Sequence, residues 1–256
     1  MTAFFDRGWR LFVTALSFFL FGLGSVFISL ILAPILMVLP GTSVQKQRRG
    51  KACIHHVFRF YIGLMKLLGV LSYQVYDRDR LQGAKLILAN HPSLIDVIFL
   101  ISLVPNANCV VKKALLRNPF TYGPVKAAGY ILNDDSVDAV IEAAQQAFDR
   151  GDALIIFPEG TRSIPGEKLN LKRGAANVAV RTAVDVTPVV IDCQPVTLTK
   201  GEPWYRIPQQ RPHFVIRISP PMPIATYIDN VKPAMAARNL TADLTGFFNK
   251  ELGLHE

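Results

Sequence analysis

The sequence has 256 residues, of which 50% are hydrophobic and 18% are charged, and its formal net charge is +9. This length suits one α/β domain with a small appendage and argues against a second independent core. The mean hydropathy of +0.28 is high for a soluble cytosolic enzyme, so part of the surface is expected to meet lipid. The positive charge fits nucleic acid, anionic lipid or a phosphorylated substrate.

The three cysteines, Cys53, Cys109 and Cys193, lie far apart in the sequence and show no CxxC spacing. Their odd number and spacing argue against a disulfide framework and against a zinc site. They are compatible with a reducing compartment and are interpreted as small buried apolar residues.

The N-terminal segment from Leu11 to Leu39 contains no charged residue. It exceeds the roughly 20 residues that a helix needs to cross a bilayer, and it is too long for the core of a signal peptide. Positive residues are more frequent after this segment than before it, so a spanning helix would leave the main domain in the cytoplasm. Pro34 keeps a re-entrant or in-plane helical hairpin open as the rival geometry, and a buried core helix is the third alternative.

Residues 53–71 predict an amphipathic helix, because their apolar side chains recur at a helical period. Arg59 and Lys66 would share a face with His55 and His56, which favours a basic helix that lies on anionic headgroups. The alternative is a core helix with two solvated cations. Residues 1–70 are thus expected to attach to a membrane, and residues 71–256 to form the globular domain.

From about residue 73 onward, strand-like and helix-like patterns alternate. Helical patterns are clearest at Ser136–Arg150 and near Pro233–Glu251, and the proline-rich stretch Pro195–Pro223 predicts a loop or hairpin excursion. The predicted strands are Tyr73–Tyr76, Lys85–Ala89, Cys109–Val111, Ile131–Leu132, Ala153–Phe157, Thr187–Asp192 and His213–Ile218. The pattern predicts an α/β fold with a mostly parallel mixed sheet flanked by helices, preceded by an N-terminal membrane-embedded helix or helical hairpin.

A polar segment, NHPSLID, runs from Asn90 to Asp96 directly after one predicted strand. Pro92 suits the first turn of a helix, which would place His91 just before that helix at the carboxyl edge of the sheet. An aspartate near the helix start can accept from one imidazole nitrogen and leave the other free to take a proton from an alcohol. The alternative is that His91 caps a helix and Asp96 is solvated.

A second segment, FPEGTRS, runs from Phe157 to Ser163 after another predicted strand and so is expected at the same edge. Gly160 allows a close backbone approach, and Arg162 offers a planar fork for phosphate. Glu159 could position Arg162 or an acceptor hydroxyl. Taken alone, the segment could equally be an ordinary turn with a surface arginine.

Together the two segments resemble the signatures of the glycerolipid acyltransferases typified by 1-acylglycerol-3-phosphate acyltransferase, whose first block reads NHxxxxD. The likeness extends over roughly residues 70–220. Three further segments, which begin at Lys112, Leu171 and Val186, resemble connecting segments of that family in the same order.

The resemblance implies transfer of an acyl group from acyl-CoA or acyl-carrier protein to a hydroxyl, with neither a metal nor another cofactor and without an acyl-enzyme. His91 would be the base, Asp96 its orienting partner, and the backbone N–H groups after His91 would stabilise the oxyanion. Ser93 lacks the G-x-S-x-G context of a nucleophile. The residues expected to bind the substrates are Glu159, Gly160, Thr161, Arg162, Lys112, Lys172 and Arg173.

One departure concerns the acceptor. Where the family commonly carries an arginine for the acceptor phosphate, this chain reads Asn133-Asp134-Asp135. Carboxylates there would repel a phosphate unless Arg162, Lys172 or Arg173 compensates. A lysophospholipid such as 1-acylglycerol-3-phosphate is the first expectation, and a non-phosphate acceptor such as a lyso-aminolipid or glycolipid is the alternative.

Membrane lipids and acyl-carrier protein are the expected partners, at the inner (cytoplasmic) membrane with the active site facing the cytoplasm. A thioester or lipid hydrolase would need the same base but would release free fatty acid. A non-catalytic lipid-binding protein would not need His91, Asp96 and FPEGTRS together. Nucleic acid is not an expected partner, because the basic residues flank apolar segments and no aromatic-basic recognition block is present.

Overall fold

A computed structural model describes residues 2–133 and 136–254. Seven strands form one sheet in the order β1-β7-β6-β2-β5-β3-β4, in which β6 and β7 pair antiparallel and all other neighbours pair parallel. The strands are β1 Ser72–Tyr76, β2 Leu86–Ala89, β3 Ala107–Lys112, β4 Ile131–Asn133, β5 Ala153–Ile156, β6 Val186–Gln194 and β7 His213–Ile218. The predicted α/β fold with a mostly parallel mixed sheet is confirmed.

Helices cover both faces of this sheet. They are α1 Thr2–Phe27, α2 Ala33–Val38, α3 Ser43–Leu67, α4 Asp96–Leu103, α5 Pro119–Ala128, α6 Val137–Asp149, α7 Arg173–Thr182, α8 Ala225–Ile228 and α9 Pro233–Glu251. Side chains of β2 alternate between two cores: Ile87 and Ala89 pack with α3 and α4, whereas Leu86 and Leu88 pack with α6, α7 and α9. The sheet therefore lies between two helical layers, and β2 is buried on both faces.

The N-terminal apolar segment is one continuous helical run. A π-helical turn at Ile28–Leu32 joins α1 to α2 and precedes Pro34, which lacks the N–H that an α-helical turn would use. The run from Asp6 to Val38 is long and apolar enough to cross a membrane, and few of its side chains are buried. It is thus suited to membrane association, and residues 11–39 contain no hairpin.

The chain reverses after Val38, and α3 returns beside α1. The hydroxyl of Tyr61 donates to the carbonyl of Ser17 at 3.1 Å, and the indole N–H of Trp9 donates to the carbonyl of Leu68 at 3.2 Å. Thr42 caps α3 with a reciprocal capping box to Gln45, which explains why this helix begins ten residues earlier than predicted.

One side of α3 belongs to the core rather than to a polar surface. Ile54, Ile62 and Met65 are buried in the layer between α3 and the sheet. His55 is buried too, and its Nδ1 lies 2.8 Å from the carbonyl oxygen of Ile101 in α4. The expectation that His55 shares an exposed basic face with Arg59 is therefore wrong. The division of the chain at residue 70 stays a prediction.

Two buried contacts fix α3 to its neighbours. A Cβ atom at Gly50 would lie 2.1 Å from the carbonyl oxygen of Ala127, so the backbones of α3 and α5 touch at this glycine. Lys51 Nζ forms an ion pair with Asp152 Oδ2 at 2.6 Å, and each side chain is only 2% exposed. Asp152 directly precedes β5, so this pair joins α3 to the start of that strand.

The N-terminal helix also contacts a loop of the globular part. Arg10 is 2% exposed and donates from its guanidinium to the carbonyls of Pro208 and Gln209. Phe18 packs against Trp204 in the same loop, with ring centroids 5.6 Å apart. The stretch between β6 and β7 is therefore attached to α1.

Candidate active site

The two signature segments lie side by side because β2 and β5 are parallel neighbours. Leu88 pairs with Ile156, so the loops that follow these strands leave the sheet at the same edge. This is the edge at which parallel α/β sheets bind ligands. The expectation that both segments share the carboxyl edge is confirmed.

His91 and Asp96 form a hydrogen-bonded pair. Nδ1 of His91 lies 2.9 Å from Oδ2 of Asp96, and the same oxygen accepts the backbone N–H of Ser93 at 2.6 Å. The His91 side chain is 19% exposed, whereas Asp96 is completely buried. Asp96 is the first residue of α4, so the predicted arrangement of a loop histidine and a first-turn aspartate is correct. The helix begins at Asp96 and not at Pro92, which is a correction to the predicted start.

The position of Asp96 fixes the tautomer of His91. An ionised carboxylate only accepts hydrogen bonds, so Nδ1 carries the proton and Nε2 is left with a lone pair. Burial raises the pKa of Asp96, and the hydrogen bonds from His91 and Ser93 oppose that effect. The pair is therefore arranged to receive a proton at Nε2 and to stabilise the imidazolium that results.

The backbone of His91 is held at both ends. Its N–H donates to Oε1 of Glu159 at 2.8 Å, and its carbonyl accepts the N–H of Ser163 at 2.8 Å. Ser163 Oγ donates to the same Glu159 oxygen at 3.0 Å. The imidazole stacks on Phe157, with centroids 4.3 Å apart. The FPEGTRS loop thus clamps the histidine from the adjacent strand.

Glu159 is mostly buried in this clamp, and burial raises its pKa against the opposing hydrogen bonds from Ser163 and His91. Its Oε1 contacts the backbone of His91, a partner that sequence reasoning did not foresee. Arg162 uses Nη1 to donate to the carbonyls of Leu198 and Thr199, at 2.8 and 2.9 Å.

The backbone amides after His91 already have acceptors. Ser93 N–H donates to Asp96, Leu94 N–H to the carbonyl of Leu198 at 3.2 Å, and Ile95 N–H to Ser93 Oγ at 3.2 Å. These three amides are therefore engaged, and the expected oxyanion site at the start of the helix after His91 stays a prediction. Ser93 is fully buried and its Oγ accepts from Ile95, which also argues against a role as nucleophile.

The remaining predicted residues surround the same edge. Gly160 has φ +69°, which favours glycine, and a Cβ there would lie 3.1 Å from Nζ of Lys172. Lys172 and Arg173 are exposed at the start of α7, and Thr161 is exposed in the loop. Lys112 is exposed at the end of β3, the neighbour of β5. The substrate-binding roles of these residues stay predictions.

Two further residues support the site without having been predicted to do so. Asn90 exchanges two hydrogen bonds with the backbone of Ile191, at 2.7 and 2.8 Å, and so joins the end of β2 to β6. Ser163 links Glu159 to His91. A polar residue directly after a buried strand was the available signal for Asn90. Asp134 and Asp135 lie outside the described residues.

Comparison with known proteins gives the class of this chain. The sequence model of the Acyltransferase family matches residues 72–192, which include His91, Asp96 and the FPEGTRS loop. Together with the named relatives below, this match shows that residues 72–192 are similar to the glycerolipid acyltransferases.

The curated relatives of this chain include proteins named 1-acyl-sn-glycerol-3-phosphate acyltransferase. The protein from Helicobacter pylori is 37% identical over 115 residues, which are 43% of this chain and 48% of that protein. The protein from Saccharomyces cerevisiae is 27% identical over 232 residues, 87% of this chain and 68% of that protein. The chain thus spans only about half the length of the first of these relatives.

The fold also matches a solved structure. The crystal structure of the 1-acyl-sn-glycerophosphate acyltransferase from Thermotoga maritima aligns with a TM-score of 0.65 and 19% identity, over 92% of this chain and 98% of that one. At this identity the match supports the fold alone.

Proposed function

We propose that this protein transfers a fatty acyl group from acyl-CoA or acyl-carrier protein to a hydroxyl of a lysophospholipid, with 1-acylglycerol-3-phosphate as the first candidate. The observation that carries the proposal is the His91–Asp96 pair clamped against the FPEGTRS loop. The names of the relatives support the acceptor class. Such a reaction belongs to phospholipid biosynthesis.

The chemistry follows from the free Nε2 of His91. It takes the proton of the acceptor hydroxyl while that oxygen attacks the thioester carbonyl. The tetrahedral intermediate then collapses, the C–S bond breaks, and the imidazolium returns its proton to the leaving thiolate. A thioester is already activated, so neither a metal nor an acyl-enzyme is part of the proposal. The oxyanion donors are expected outside Ser93, Leu94 and Ile95, since those amides are engaged.

We place the reaction at the cytoplasmic face of the inner membrane. The apolar run Asp6–Val38 exposes large side chains such as Phe19, Leu30 and Val38. Basic residues follow this run in the sequence, as expected for a helix whose C-terminal side is cytoplasmic. Lipid-soluble acceptors would reach the site from the same surface. Acyl-carrier protein and membrane lipids are its proposed partners.

His91→Ala tests the assignment directly. Purified protein is given a labelled acyl thioester and 1-acylglycerol-3-phosphate, and the acylated product is quantified. We expect the variant to lose at least about 100-fold in turnover, since general-base catalysis contributes that much or more. His56→Ala, which changes an exposed histidine on α3, is the matched control and should keep full activity. Substantial turnover by a folded His91→Ala protein would refute the role of His91.

A non-phosphate acceptor is the second candidate, and the sequence Asn133-Asp134-Asp135 favours it. The same assay with 1-acylglycerol, a lyso-aminolipid and 1-acylglycerol-3-phosphate ranks the acceptors by kcat/KM. A reaction without acceptor measures hydrolysis, and free fatty acid as the main product there would identify a hydrolase. Parallel reactions with acyl-CoA and acyl-carrier protein identify the donor.

A further inference from the structure

A third loop contacts both signature loops. It comprises residues 195–199, after β6, and lies just beyond residue 192, where the family match ends. The carbonyl oxygen of Leu198 accepts the N–H of Leu94 at 3.2 Å and Nη1 of Arg162 at 2.8 Å. Arg162 Nη1 also donates to the carbonyl of Thr199 at 2.9 Å. One backbone carbonyl therefore joins the NHPSLID loop to the FPEGTRS loop.

The backbone carbonyls of Leu198 and Thr199 are held in place by the packing of their own side chains. Leu198 has φ +53°, a left-handed conformation that costs a branched side chain roughly 1–2 kcal/mol. Its side chain is only 9% exposed and packs in the core cluster that contains Ile95, and Thr199 is 3% exposed. Because packing holds the strained backbone in place, the carbonyl of Leu198 is a fixed acceptor for Leu94 and Arg162.

Leu94 lies between His91 and Asp96 in the sequence, so its amide fixes the turn that sets the geometry of the pair. The FPEGTRS loop holds the other side of this turn through Glu159 and Ser163. Arg162 belongs to that loop and is connected through its Nη1 to the acceptor of Leu94. Its guanidinium has five N–H donors, so the contacts of Nη1 leave others for a substrate.

We propose that Arg162 is a positioning residue as well as a substrate ligand: through the Leu198 and Thr199 carbonyls it holds the 195–199 loop against the turn that carries His91 and Asp96. This role rests on the proposed function where it is tested by the rate of acyl transfer. Its test by hydrogen exchange at Leu94 does not depend on that function. The positioning role explains why Nη1 of Arg162 faces the backbone of the protein itself. A residue that served only to bind a phosphate would not need this attachment.

Arg162→Gln separates the two roles. Removing the guanidinium frees the 195–199 loop, so the amide of Leu94 should exchange with solvent about fivefold faster, as expected when its hydrogen bond is weakened by about 1 kcal/mol. Residue-resolved hydrogen–deuterium exchange on the full-length protein in detergent measures this rate. We also expect kcat to fall about 10- to 100-fold. The factor should be the same for 1-acylglycerol-3-phosphate and for a phosphate-free acceptor, since misplacement of the base affects the reaction of both.

Arg238→Gln is the matched control, because it removes the same charge from an exposed position on α9. It should change neither the exchange of Leu94 nor kcat. Arg162→Met, which keeps an aliphatic stem of similar length, replaces the glutamine variant if that protein does not fold. Unchanged exchange at Leu94 would overturn the proposal, even if the KM for phosphate acceptors rose. Faster exchange in Arg162→Gln, together with a wild-type protein that shows no transferase activity on any acceptor, would instead refute the proposed function and leave the positioning role intact.

Discussion

Asp96 determines the state of the histidine that it contacts. It is completely buried, and its Oδ2 is shared between His91 Nδ1 and the N–H of Ser93. Two donors converge on one oxygen, so this atom must be an acceptor in any working arrangement. The negative charge of Asp96 then favours the imidazolium that forms when His91 takes a proton.

Asp96→Asn tests the charge while it keeps the shape. The amide oxygen can still accept from Ser93 and His91, so the fold should persist and the far-ultraviolet circular dichroism should not change. We expect kcat to fall by about two to four orders of magnitude, because the imidazolium loses its counter-charge. The rate of acyl transfer by the purified variant checks this. Turnover equal to that of the wild type would mean that Asp96 serves only to hold the loop.

The histidine–aspartate pair could be predicted because both residue types lie at the end of a recognisable strand. The partner of Glu159 could not be predicted in the same way. That carboxylate accepts from a backbone N–H, which every residue except proline carries, so no side chain marks the contact. For the same reason, the sequence could not predict the hydrogen bonds of the Ser93 and Leu94 amides or of the Leu198 carbonyl. Backbone partners in a fold follow from its geometry, and the sequence carries no signal for them.

Packing of α5 against α3 and against the π-helical turn depends on single glycines. Gly50 lies against the carbonyl of Ala127, and a Cβ at Gly123 would lie 2.1 Å from Oγ of Ser29 in the π-helical turn. Side chains of any size at these positions would push the helices apart. The close approach lets the N-terminal helices, α5 and the sheet form one packed body.

Gly50→Ala should therefore destabilise the protein by about 1–3 kcal/mol, the usual cost of overpacking, because its Cβ would meet backbone atoms that cannot move away. Gly63→Ala on the same helix is the control, since nothing lies within 4 Å of its Cβ position. There the better helix propensity of alanine should stabilise by up to about 1 kcal/mol. Chemical denaturation in detergent measures both. Equal effects of the two substitutions would contradict close packing at Gly50.

Elements with a clear period were predicted well, and their boundaries less so. The seven strands agree with prediction to within two residues, and α9 agrees at both ends. The start of α3 was missed although Thr42 and Gln45 have the spacing of a capping box. Pro92 predicted a helix start four residues too early, because the turn before α4 is held by Asp96 and Leu198 instead. Pro34 did not break the helix, because the π-helical turn absorbs it.

At the scale of the whole molecule, a buried ion pair joins the N-terminal helices to the sheet. Lys51 on α3 and Asp152 at the start of β5 are both 2% exposed, and Asn108 in β3 donates to the same carboxylate oxygen at 3.2 Å. Burial lowers the pKa of Lys51, and the hydrogen bond to Asp152 opposes this effect. Since β5 leads directly to the FPEGTRS loop, the pair connects the N-terminal helices to the strand that supports the site.

Lys51→Met should destabilise the protein by about 3–5 kcal/mol, because it leaves the carboxylate of Asp152 buried without its counter-charge. Combining it with Asp152→Leu should recover part of this loss, since no unpaired charge then remains. The denaturation midpoints of the single and double variants in detergent give the comparison. If the double variant were less stable than Lys51→Met alone, the loss of stability could not be explained by the unpaired charge of Asp152.

The contact of Arg10 with Pro208 and Gln209 has a consequence for the lipid environment. These carbonyls belong to the same connection between β6 and β7 as residues 195–199, so α1 is attached to the stretch of chain that contains the third loop. If α1 is inserted in the membrane as proposed, its depth and tilt depend on how well its apolar length matches the thickness of the hydrocarbon layer. Each Å of mismatch costs a fraction of a kcal/mol. A thinner or thicker bilayer would tilt the helix and press on this connection. The lipid chain length of the host membrane would then alter the rate of the proposed acyl transfer, whose product is itself a membrane lipid.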